Sequence, residues 1–382
     1  NGGGNGGGGS VFTTRWTWRN PGEDATVGVS SGVGADAAAA AAAHDTGPRV
    51  FPGAGSGVGS GAGSRVSARR DLEKFCRLMS GSTKYDRMRV AGELQHSDPL
   101  NPSPSSNIVS SIEFDMDYQF FATAGVSKRI QFFNFADVCA GREAPVLGIS
   151  TRSKLSCLSY NKHIRNHIAS SDYEGVVTVW DVETSTSVHE FEEHDKRAWT
   201  VDYCRSDPRL LASGSDDGRV KIWSTGQESS VLELDVRANV CCAQYGPNSA
   251  HQLAVGCADH RVHLFDLRNP SEALAVLSGH RKAVSYVRFL PGGDELASAS
   301  TDSTLCVWDI RGGIGGPGMG GGIDQKPAGV LEGHTNEKNF VGLSVGAGSS
   351  ELIACGSETN EVFVYHKSFN RPVLRYNFGS HS

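Results

Sequence analysis

Several features are scarce or missing in this sequence of 382 residues, and each absence excludes a class of protein. No uninterrupted apolar run approaches the roughly 20 residues that a membrane-spanning helix needs, so we expect no membrane segment. The formal net charge of −6 gives the chain no general attraction for nucleic acid. The nine cysteines are an odd number without a Cys-x-x-Cys pair, which favours buried, reduced thiols over disulfides or a metal-binding cysteine set.

Motifs of metal and phosphate chemistry are also missing. The sequence contains neither a His-Glu-x-x-His motif nor a Gly-x-x-x-x-Gly-Lys loop. We therefore predict a protein without a catalytic centre, a metal site or a cofactor of its own. No signal-peptide pattern is visible, and the chain begins with Asn rather than Met, so we expect a fragment of a longer protein.

The chain divides by composition into three parts. Residues 1–68 are rich in Gly, Ala and Ser and offer little apolar surface, so we predict a disordered low-complexity segment. Residues 69–106 are predicted to contain a short helix, an outer strand at 88–94 and a polar linker. Residues 107–382 are predicted to form the folded domain.

The folded part is internally repetitive. Each repeat contains an apolar strand, a second strand of the Leu-Ala-Ser type, and a third strand that ends in Trp-Asp or a relative. The aromatic residues of four consecutive third strands recur at intervals of about 40 to 45 residues; they are Trp180, Trp223, Phe265 and Trp308. Gly279-His280 and Gly333-His334 supply the Gly-His pair typical of such repeats. This pattern predicts an all-β, WD40-type β-propeller, in which 312–327 is a Gly-rich insertion.

The repeat count predicts the blade count. Six sets of inner strands are present, each followed by a plausible outer strand, and one additional outer strand at 88–94 precedes the first set. In a closed ring that strand would complete a seventh blade. We therefore expect a seven-bladed architecture with six full repeats, a last blade that is incomplete in this fragment, and an unsealed ring edge.

Histidines stand before the first strand of three repeats: His194, His280 and His334. In propeller repeats a histidine at this place bonds the Asp of a later turn, so we predict structural pairs rather than metal ligands. The candidate partner of His280 is Asp302, and that of His194 is Asp216 or Asp217.

One rim of the predicted propeller collects cations and aromatic side chains. Strands alternate in direction, so the loops before the first strands and the turns between second and third strands share one rim. This rim carries Lys154, Tyr173, Arg197, Trp199, His260, Lys282 and Phe340. Aromatic anchors and rim cations suit an extended ligand with acidic residues and an apolar anchor. The alternative, scattered surface residues without a common role, stays open at this point.

The strand and turn sequences are specific enough to indicate a family. The runs NHIASSDYEGVVTVWDV (166–182), ASGSDDGRVKIW (212–223) and KAVSYVRFL (282–290) closely resemble the constitutive photomorphogenic E3 ubiquitin ligase of plants, and the suppressor-of-phytochrome-A proteins are its sister family. The resemblance covers about residues 70–380. The family's RING finger and coiled coil have no counterpart in the sequence.

The resemblance implies a substrate receptor. Such a propeller is expected to capture Val-Pro peptides, often preceded by acidic residues, of transcription factors and photoreceptors for ubiquitination in light signalling. The matching positions here are Lys154, Tyr173, Arg197, Trp199, His260, Lys282, Glu337 and Phe340. Without the RING, the chain is expected to be the non-catalytic receptor part of the ligase. The alternative is a WD40 scaffold or regulator of the suppressor-of-phytochrome-A type.

A second surface is implied by the ends of two third strands. The segments 264–268 and 307–311 resemble the box by which WD40 receptors dock onto the damaged-DNA-binding adaptor of cullin-4 ligases. The residues concerned are Asp266, Arg268, Asp309 and Arg311. The alternative is that both arginines brace the ends of their blades. The family further implies suppressor-of-phytochrome-A-type partners, no direct contact with nucleic acid or membrane, and residence in nucleus and cytoplasm.

Overall fold

The computed structural model describes residues 87, 88, 90–94, 108–311, 326–346 and 351–378. The predicted disorder of 1–68, the helix predicted at the start of 69–106 and nearly all of the Gly-rich insertion lie outside these residues. In the described ranges the regular secondary structure consists of 24 β-strands and one short helix, so the predicted all-β class is confirmed.

The strands form six four-stranded antiparallel sheets, here called blades 1 to 6, with the strands of each blade adjacent in chain order. Blade 1 contains β1 (Val109–Phe114), β2 (Phe120–Gly125), β3 (Arg129–Asn134) and β4 (Leu147–Ser150). Blade 2 contains β5 (Leu155–Tyr160), β6 (His167–Asp172), β7 (Val177–Asp181) and β8 (Thr186–Phe191). Blade 3 contains β9 (Ala198–Tyr203), β10 (Leu210–Ser215), β11 (Arg219–Ser224) and β12 (Leu232–Asp235).

The remaining three blades repeat this meander. Blade 4 contains β13 (Val240–Tyr245), β14 (Gln252–Cys257), β15 (Arg261–Asp266) and β16 (Ala275–Ser278). Blade 5 contains β17 (Val284–Phe289), β18 (Glu295–Ser300), β19 (Thr304–Asp309) and β20 (Gly329–Glu332). Blade 6 contains β21 (Leu343–Val345), β22 (Leu352–Ser357), β23 (Glu361–His366) and β24 (Pro372–Asn377). The six complete repeats predicted from the sequence therefore correspond to six blades.

One element departs from the repeat pattern. A short helix, α1 (Phe135–Cys139), interrupts the connection between β3 and β4. Asn134 begins it as N-cap, because its side-chain oxygen accepts hydrogen bonds from the backbone N–H groups of Ala136 and Asp137 at 2.9 and 3.2 Å. The strand periodicity does not predict this helix, because five residues are too few to establish a helical pattern.

The hydrophobic core lies in layers between consecutive blades. Between blades 2 and 3, for example, the fully buried ring of Trp223 stacks on Phe191 with centroids 4.8 Å apart. Similar clusters fill the other four junctions between neighbouring blades. Blades 2 to 5 thus bury both faces of their inner strands, which explains their nearly continuous apolar sequences.

A sixth cluster covers the face of blade 1 that looks away from blade 2. Leu94, only 1% exposed, packs there against Phe121, Phe133 and Phe135. Leu94, the last residue of the predicted outer strand, therefore packs against blade 1. This strand is less regular than predicted over 88–94, however, because among its described residues only Leu94 makes a strand-like bridge.

Two of the three predicted histidine networks are confirmed. In blade 3, His194 hydrogen-bonds Asp217 at 2.7 Å and Ser213 at 2.8 Å, and Ser213 also accepts from the indole of Trp223. In blade 5, His280 contacts Asp302 at 3.3 Å and Ser298 at 2.7 Å, and Ser298 accepts from Trp308. The pKa of Asp217 lies below the ordinary value of an aspartate. Burial raises this pKa, but the hydrogen bonds from His194 and from backbone N–H groups outweigh the effect of burial.

The prediction of a turn-Asp partner is wrong for His334. It hydrogen-bonds the Tyr365 hydroxyl at 3.0 Å, since Thr359 stands where blades 3, 4 and 5 carry the turn aspartate. Burial lowers the pKa of His334 from 6.5 to about 4, although the charge of Asp302 acts in the opposite direction.

Side chains of the inner strands also join one blade to the next. At one equivalent position, three successive blades present an acceptor to the backbone N–H of the following blade's inner strand. These bonds run from Tyr203 to Ser159 at 3.1 Å, from Tyr245 to Asp202 at 2.8 Å, and from Phe289 to Gln244 at 2.7 Å. In blade 5 the position holds Arg288, a donor, which bonds the Val287 carbonyl instead.

Candidate functional site

Three aromatic side chains from three different blades meet at the predicted rim. Tyr173 lies in the turn between β6 and β7, Trp199 in β9, and Phe340 in the loop before β21. The ring centroids of Tyr173 and Trp199 are 5.8 Å apart, and those of Trp199 and Phe340 are 5.6 Å apart. We call these three residues the aromatic row.

A β-bulge directs Trp199 to this place. Thr200 pairs with Gly214 and Ala198 pairs with Ser215, so the register of β9 against β10 shifts around Trp199. A bulge turns a side chain away from the regular alternation of its strand. The bulge therefore places the side chain of Trp199 at the rim, although its backbone belongs to β9.

Arg197 is part of the aromatic row's support. Its guanidinium carbon lies 4.9 Å from the centroid of Tyr173 and 4.5 Å from that of Trp199, within cation–π range of both rings. Its Nε atom is 3.4 Å from an oxygen of Asp216. The charge of Arg197 is therefore already engaged by three neighbours.

Asp216 is a site residue that the sequence reasoning missed, since it was considered only as a partner of His194. Its Oδ1 accepts hydrogen bonds from the indole N–H of Trp199 at 2.8 Å and from the side-chain amide of Asn239 at 3.1 Å. Asp216 stands at the same turn position as Tyr173 one blade earlier, and this correspondence could have indicated it.

A cleft of ≈ 510 Å³ adjoins the aromatic row on the side of blades 1 and 2. Its walls are Lys128, Ser153, Lys154, Tyr173, Glu174, Lys196, Arg197 and Asp216. Lys128 and Lys196 were not predicted; Lys128 comes from the turn between β2 and β3, where its φ is 58°. The cleft lysines, Lys128, Lys154 and Lys196, are all exposed. Their ammonium groups can thus attract acidic groups of a ligand.

The other predicted rim residues occupy matching loops without touching the aromatic row in the described structure. His260 is exposed in the turn after β14 with a φ of 72°, and Lys282 is exposed just before β17. Glu337 is exposed in the loop that carries Phe340. The structure thus brings Lys154, Tyr173, Arg197, Trp199 and Phe340 together, while the role of all eight residues stays a prediction.

Glu358 holds the loop before β21 in place and was also missed. Its carboxylate accepts the backbone N–H groups of Lys338 at 2.8 Å and Asn339 at 2.7 Å, and these bonds lower its pKa. Phe340 follows directly, so Glu358 fixes the backbone from which this ring reaches Trp199.

One thiol, carboxylate and imidazole group comes together in the part of the chain that the structure describes. The ligand atoms of Cys257, Asp259 and His263 lie within 4.8 Å of one another. His263 Nε2 is 2.8 Å from Asp259, and Val236 stands where blade 3 has His194. A thiol, a carboxylate and an imidazole can ligate a metal ion. In this blade, however, His263 is the hydrogen-bond partner of the turn aspartate, as His194 is in blade 3.

The residues of the predicted adaptor surface form two similar pairs at the ends of β15 and β19. Arg268 Nε donates to Asp266 at 2.9 Å, and Arg311 Nε donates to Asp309 at 3.1 Å. The bond from Arg268 lowers the pKa of Asp266 to about 2. Both arginine side chains are more than half exposed. Each guanidinium group is held in one orientation at the surface by the hydrogen bond to its aspartate.

No helix within the described ranges has the length and apolar character to span a bilayer.

Six four-stranded meanders, with His–Asp and Trp–Ser networks inside the blades, define the class of protein as a WD-repeat β-propeller. The family described as "WD domain, G-beta repeat" matches residues 185–224 and 271–309. The chain is 55% identical over 312 residues to E3 ubiquitin-protein ligase COP1 of Arabidopsis thaliana, covering 81% of this chain and 43% of the ligase.

Two other relatives come from the same plant. Protein SPA1-RELATED 4 is 48% identical over 310 residues, covering 80% of this chain and 37% of that protein. WD repeat-containing protein RUP2 is 36% identical over 292 residues, covering 70% of this chain and 76% of that protein. The chain belongs to the WD-repeat family formed by the COP1 ligases and their SPA and RUP relatives. It spans less than half the length of COP1 and of the SPA protein.

Proposed function

We propose that this chain is the substrate receptor of an E3 ubiquitin ligase in light signalling. In this proposal the rim binds peptides in which acidic residues precede a Val-Pro pair, as part of transcription factors and photoreceptors. The observation that carries the proposal is the aromatic row beside the lysine cleft. A large apolar contact and a separate cluster of free cations suit the two halves of such a peptide.

The aromatic row would take the Val-Pro pair. Phe340 is 38% exposed and leans on Trp199, so an apolar ligand can cover both rings. A Pro-containing segment is already partly extended before it binds, and it therefore loses less conformational entropy on the rim. Loss of a central aromatic anchor typically costs about 2 kcal/mol or more of binding free energy.

The cleft lysines would take the acidic residues. Lys154 was predicted for this role together with Arg197 and Lys282. Arg197, however, lies over two rings and is paired with Asp216, so it is better placed to brace the aromatic row. Lys128 and Lys196 extend the positive surface around Lys154 instead.

Binding of a fluorescent peptide, measured by anisotropy, tests the proposal. The peptide carries several Asp or Glu residues before a Val-Pro pair, and we expect saturable binding to the wild-type chain. Trp199→Ala should weaken it about 30-fold or more, which corresponds to the 2 kcal/mol of a lost anchor. Replacing Val-Pro by Ala-Ala in the peptide should have a similar effect.

The matched control is Tyr118→Ala. Tyr118 is an aromatic residue that is 45% exposed, but it lies in the β1–β2 turn and thus at the opposite rim. Its substitution should leave the affinity unchanged. Equal affinity for the Val-Pro and Ala-Ala peptides would refute the proposal, as would equal losses in both variants.

The surface pairs at the ends of β15 and β19 suggest a second contact. We propose that Arg268 and Arg311, each oriented by its aspartate, dock onto the damaged-DNA-binding adaptor of cullin-4 ligases. The chain itself would then be a non-catalytic receptor, joined to ligase machinery and to SPA-type partners in nucleus and cytoplasm.

The alternative proposal is a regulator of the SPA type, which rests on the 48% identity to SPA1-RELATED 4. The full-length coding sequence distinguishes the two proposals. A RING ahead of the propeller favours the ligase receptor, whereas a kinase-like region favours the regulator.

A further inference from the structure

A carboxylate lies inside a site that otherwise collects cations and aromatic rings. Asp216 belongs to the turn between β10 and β11, and it lines the cleft together with Lys154 and Arg197. We infer that Asp216 is the positioning residue that holds Trp199 and Arg197 in the arrangement a peptide requires. This inference rests on the proposed function and names the group on which the site's geometry depends.

The first contact fixes the indole ring. Asp216 Oδ1 accepts the N–H of Trp199 at 2.8 Å, and a bond between a charged acceptor and an indole donor is among the stronger hydrogen bonds. Since the indole has only this one polar atom, the bond selects one orientation of the ring. That orientation is the one in which Trp199 contacts both Tyr173 and Phe340.

The second contact fixes the guanidinium. Asp216 Oδ2 lies 3.4 Å from Arg197 Nε, and the backbone N–H of Asp216 donates to the Arg197 carbonyl at 3.0 Å. Arg197 is thereby held over Tyr173 and Trp199. A single carboxylate thus restrains two of the residues that we expect to contact the peptide.

The third contact connects the site to blade 4. Asn239 donates to Asp216 Oδ1 at 3.1 Å, and the Asn239 carbonyl accepts the N–H of Ala258 at 2.9 Å. Asp216 therefore stands between blades 3 and 4, while Trp199 extends the contact to Phe340 of blade 6.

Blades 2, 4 and 5 show that a blade can form without a carboxylate at this position, whereas blade 6 has Glu358 there, which accepts backbone N–H groups of the loop that carries Phe340. The same turn position holds Tyr173 in blade 2, Ala258 in blade 4 and Thr301 in blade 5, and each of these blades forms its four strands. The neighbouring Asp217, by contrast, has the structural bond to His194. A role for Asp216 at the rim explains why the turn of blade 3 carries two adjacent aspartates.

The negative charge of Asp216 and its positioning role predict opposite effects of its removal on peptide affinity, and this difference makes the inference testable. As a negative charge beside the cleft lysines, Asp216 repels an acidic peptide, so its neutralisation alone would strengthen binding. As a positioning residue it supports binding, so its removal weakens it. Glu174 supplies the matched control, because it is an exposed carboxylate in the same cleft whose side chain makes no hydrogen bond or ion pair with the aromatic row or Arg197 among the described residues.

The binding experiment compares variants of the full chain with the fluorescent Val-Pro peptide. We expect Asp216→Ala to weaken binding about tenfold, as befits the loss of hydrogen bonds to a charged group. Asp216→Asn keeps an acceptor for Trp199 and should lie between wild type and Asp216→Ala. Glu174→Gln should bind slightly more tightly than wild type. In a Trp199→Phe background, which lacks the indole N–H, Asp216→Ala should cost clearly less than tenfold.

A second measurement needs no peptide. The chain has six tryptophans, so the indole ¹H–¹⁵N signal of Trp199 can be assigned by its absence in Trp199→Phe. In Asp216→Ala we expect this signal to shift upfield and to exchange faster with solvent, while the signals of Trp223 and Trp308 stay in place. Asp216→Asn should largely preserve the signal.

The two measurements separate this inference from the proposed function. If wild type does not bind the peptide, the proposed function fails, and the indole signal still decides whether Asp216 holds Trp199. The positioning role is overturned if the Trp199 signal is unchanged in Asp216→Ala. It is also overturned if Asp216→Ala strengthens binding as Glu174→Gln does, or weakens it equally with and without the indole N–H.

Discussion

At the scale of single residues, neighbours decide what a charged or titratable side chain can do. Arg197 has the residue type expected of a ligand-binding cation, yet two rings and Asp216 already engage it. Lys154 next to it is exposed and makes no ion pair among the described residues. The same principle distinguishes His194, which faces an aspartate, from His334, which faces the neutral hydroxyl of Tyr365.

His334 should make the stability of the chain depend on pH. Its pKa is lowered to about 4 in the folded state, whereas the unfolded chain titrates near 6.5. Between these values the unfolded state binds more protons, so acidification favours unfolding. We expect His334 to account for a loss of about 2 kcal/mol in the free energy of unfolding between pH 7 and pH 4.5.

Urea denaturation at pH 7 and pH 4.5 measures this effect. His334→Asn is expected to be less stable than wild type at pH 7, because it leaves a gap beside Tyr365, but to lose less stability on acidification. Identical losses in wild type and variant would show that His334 does not carry the pH dependence.

At the scale of elements, the inner strands combine two devices. Their register against the second strand shifts at the same place in blades 1 to 5, and in blade 3 this bulge presents Trp199 to the rim. Further along the strands, side chains accept backbone N–H groups of the next blade. The first device shapes the site, and the second fixes the distance between the blades that share it.

Gln244 and Asp202 allow the second device to be tested. Gln244→Ala leaves the buried N–H of Phe289 without its acceptor, so we expect a loss of about 1–3 kcal/mol in the free energy of unfolding at any pH. Asp202→Asn keeps an acceptor for the backbone N–H of Tyr245. It removes an ionisable carboxyl group, whose pKa is raised to about 6 by burial.

The sign for Asp202 follows from its raised pKa. The folded state holds the proton more tightly than the unfolded state, so the charged carboxylate lowers stability as the pH rises from about 4 through about 6. Asp202→Asn should therefore be more stable than wild type at pH 7.5 and similar to it near pH 4. Urea titrations at both values check this, and a variant that is less stable at pH 7.5 would contradict it.

At the scale of the whole molecule, stability comes from layers between blades, and blade 1 is covered on both faces. One face packs against blade 2, and the other is covered in part by the segment that ends at Leu94. This segment lies outside the repeats in sequence yet shares a cluster with Phe121 and Phe133. It therefore contributes to the same folding unit as the propeller.

Leu94→Ala tests that contribution. Truncation of a leucine that is 1% exposed should lower the free energy of unfolding by about 2–5 kcal/mol. Val146→Ala is the matched control, because Val146 is 62% exposed in the same blade and should cost less than about 0.5 kcal/mol. Equal small effects in a denaturant titration would mean that the segment does not support blade 1.

Much of this protein was determined by its sequence. The recurrence of strands and of residues such as Trp180 and Trp308 predicted six complete blades, because each blade must bury the same faces in the same order. The direction of the strands also placed Tyr173, Trp199 and Phe340 at one rim, since loops at one end of a meander share a side. The partner of His334 escaped the pattern because a single substitution, Thr359, changed it.

Only the tertiary structure decided which rim residues touch. The contact between Trp199 and Phe340 joins two blades that are far apart in the sequence, and the cleft joins side chains of three consecutive blades. Periodicity contains no distances between side chains of different blades. Asp216 gained its place because three donors from two blades converge on one carboxylate. The repeats along the chain determine the structure of each blade, whereas the contacts between blades determine the site that the blades form together.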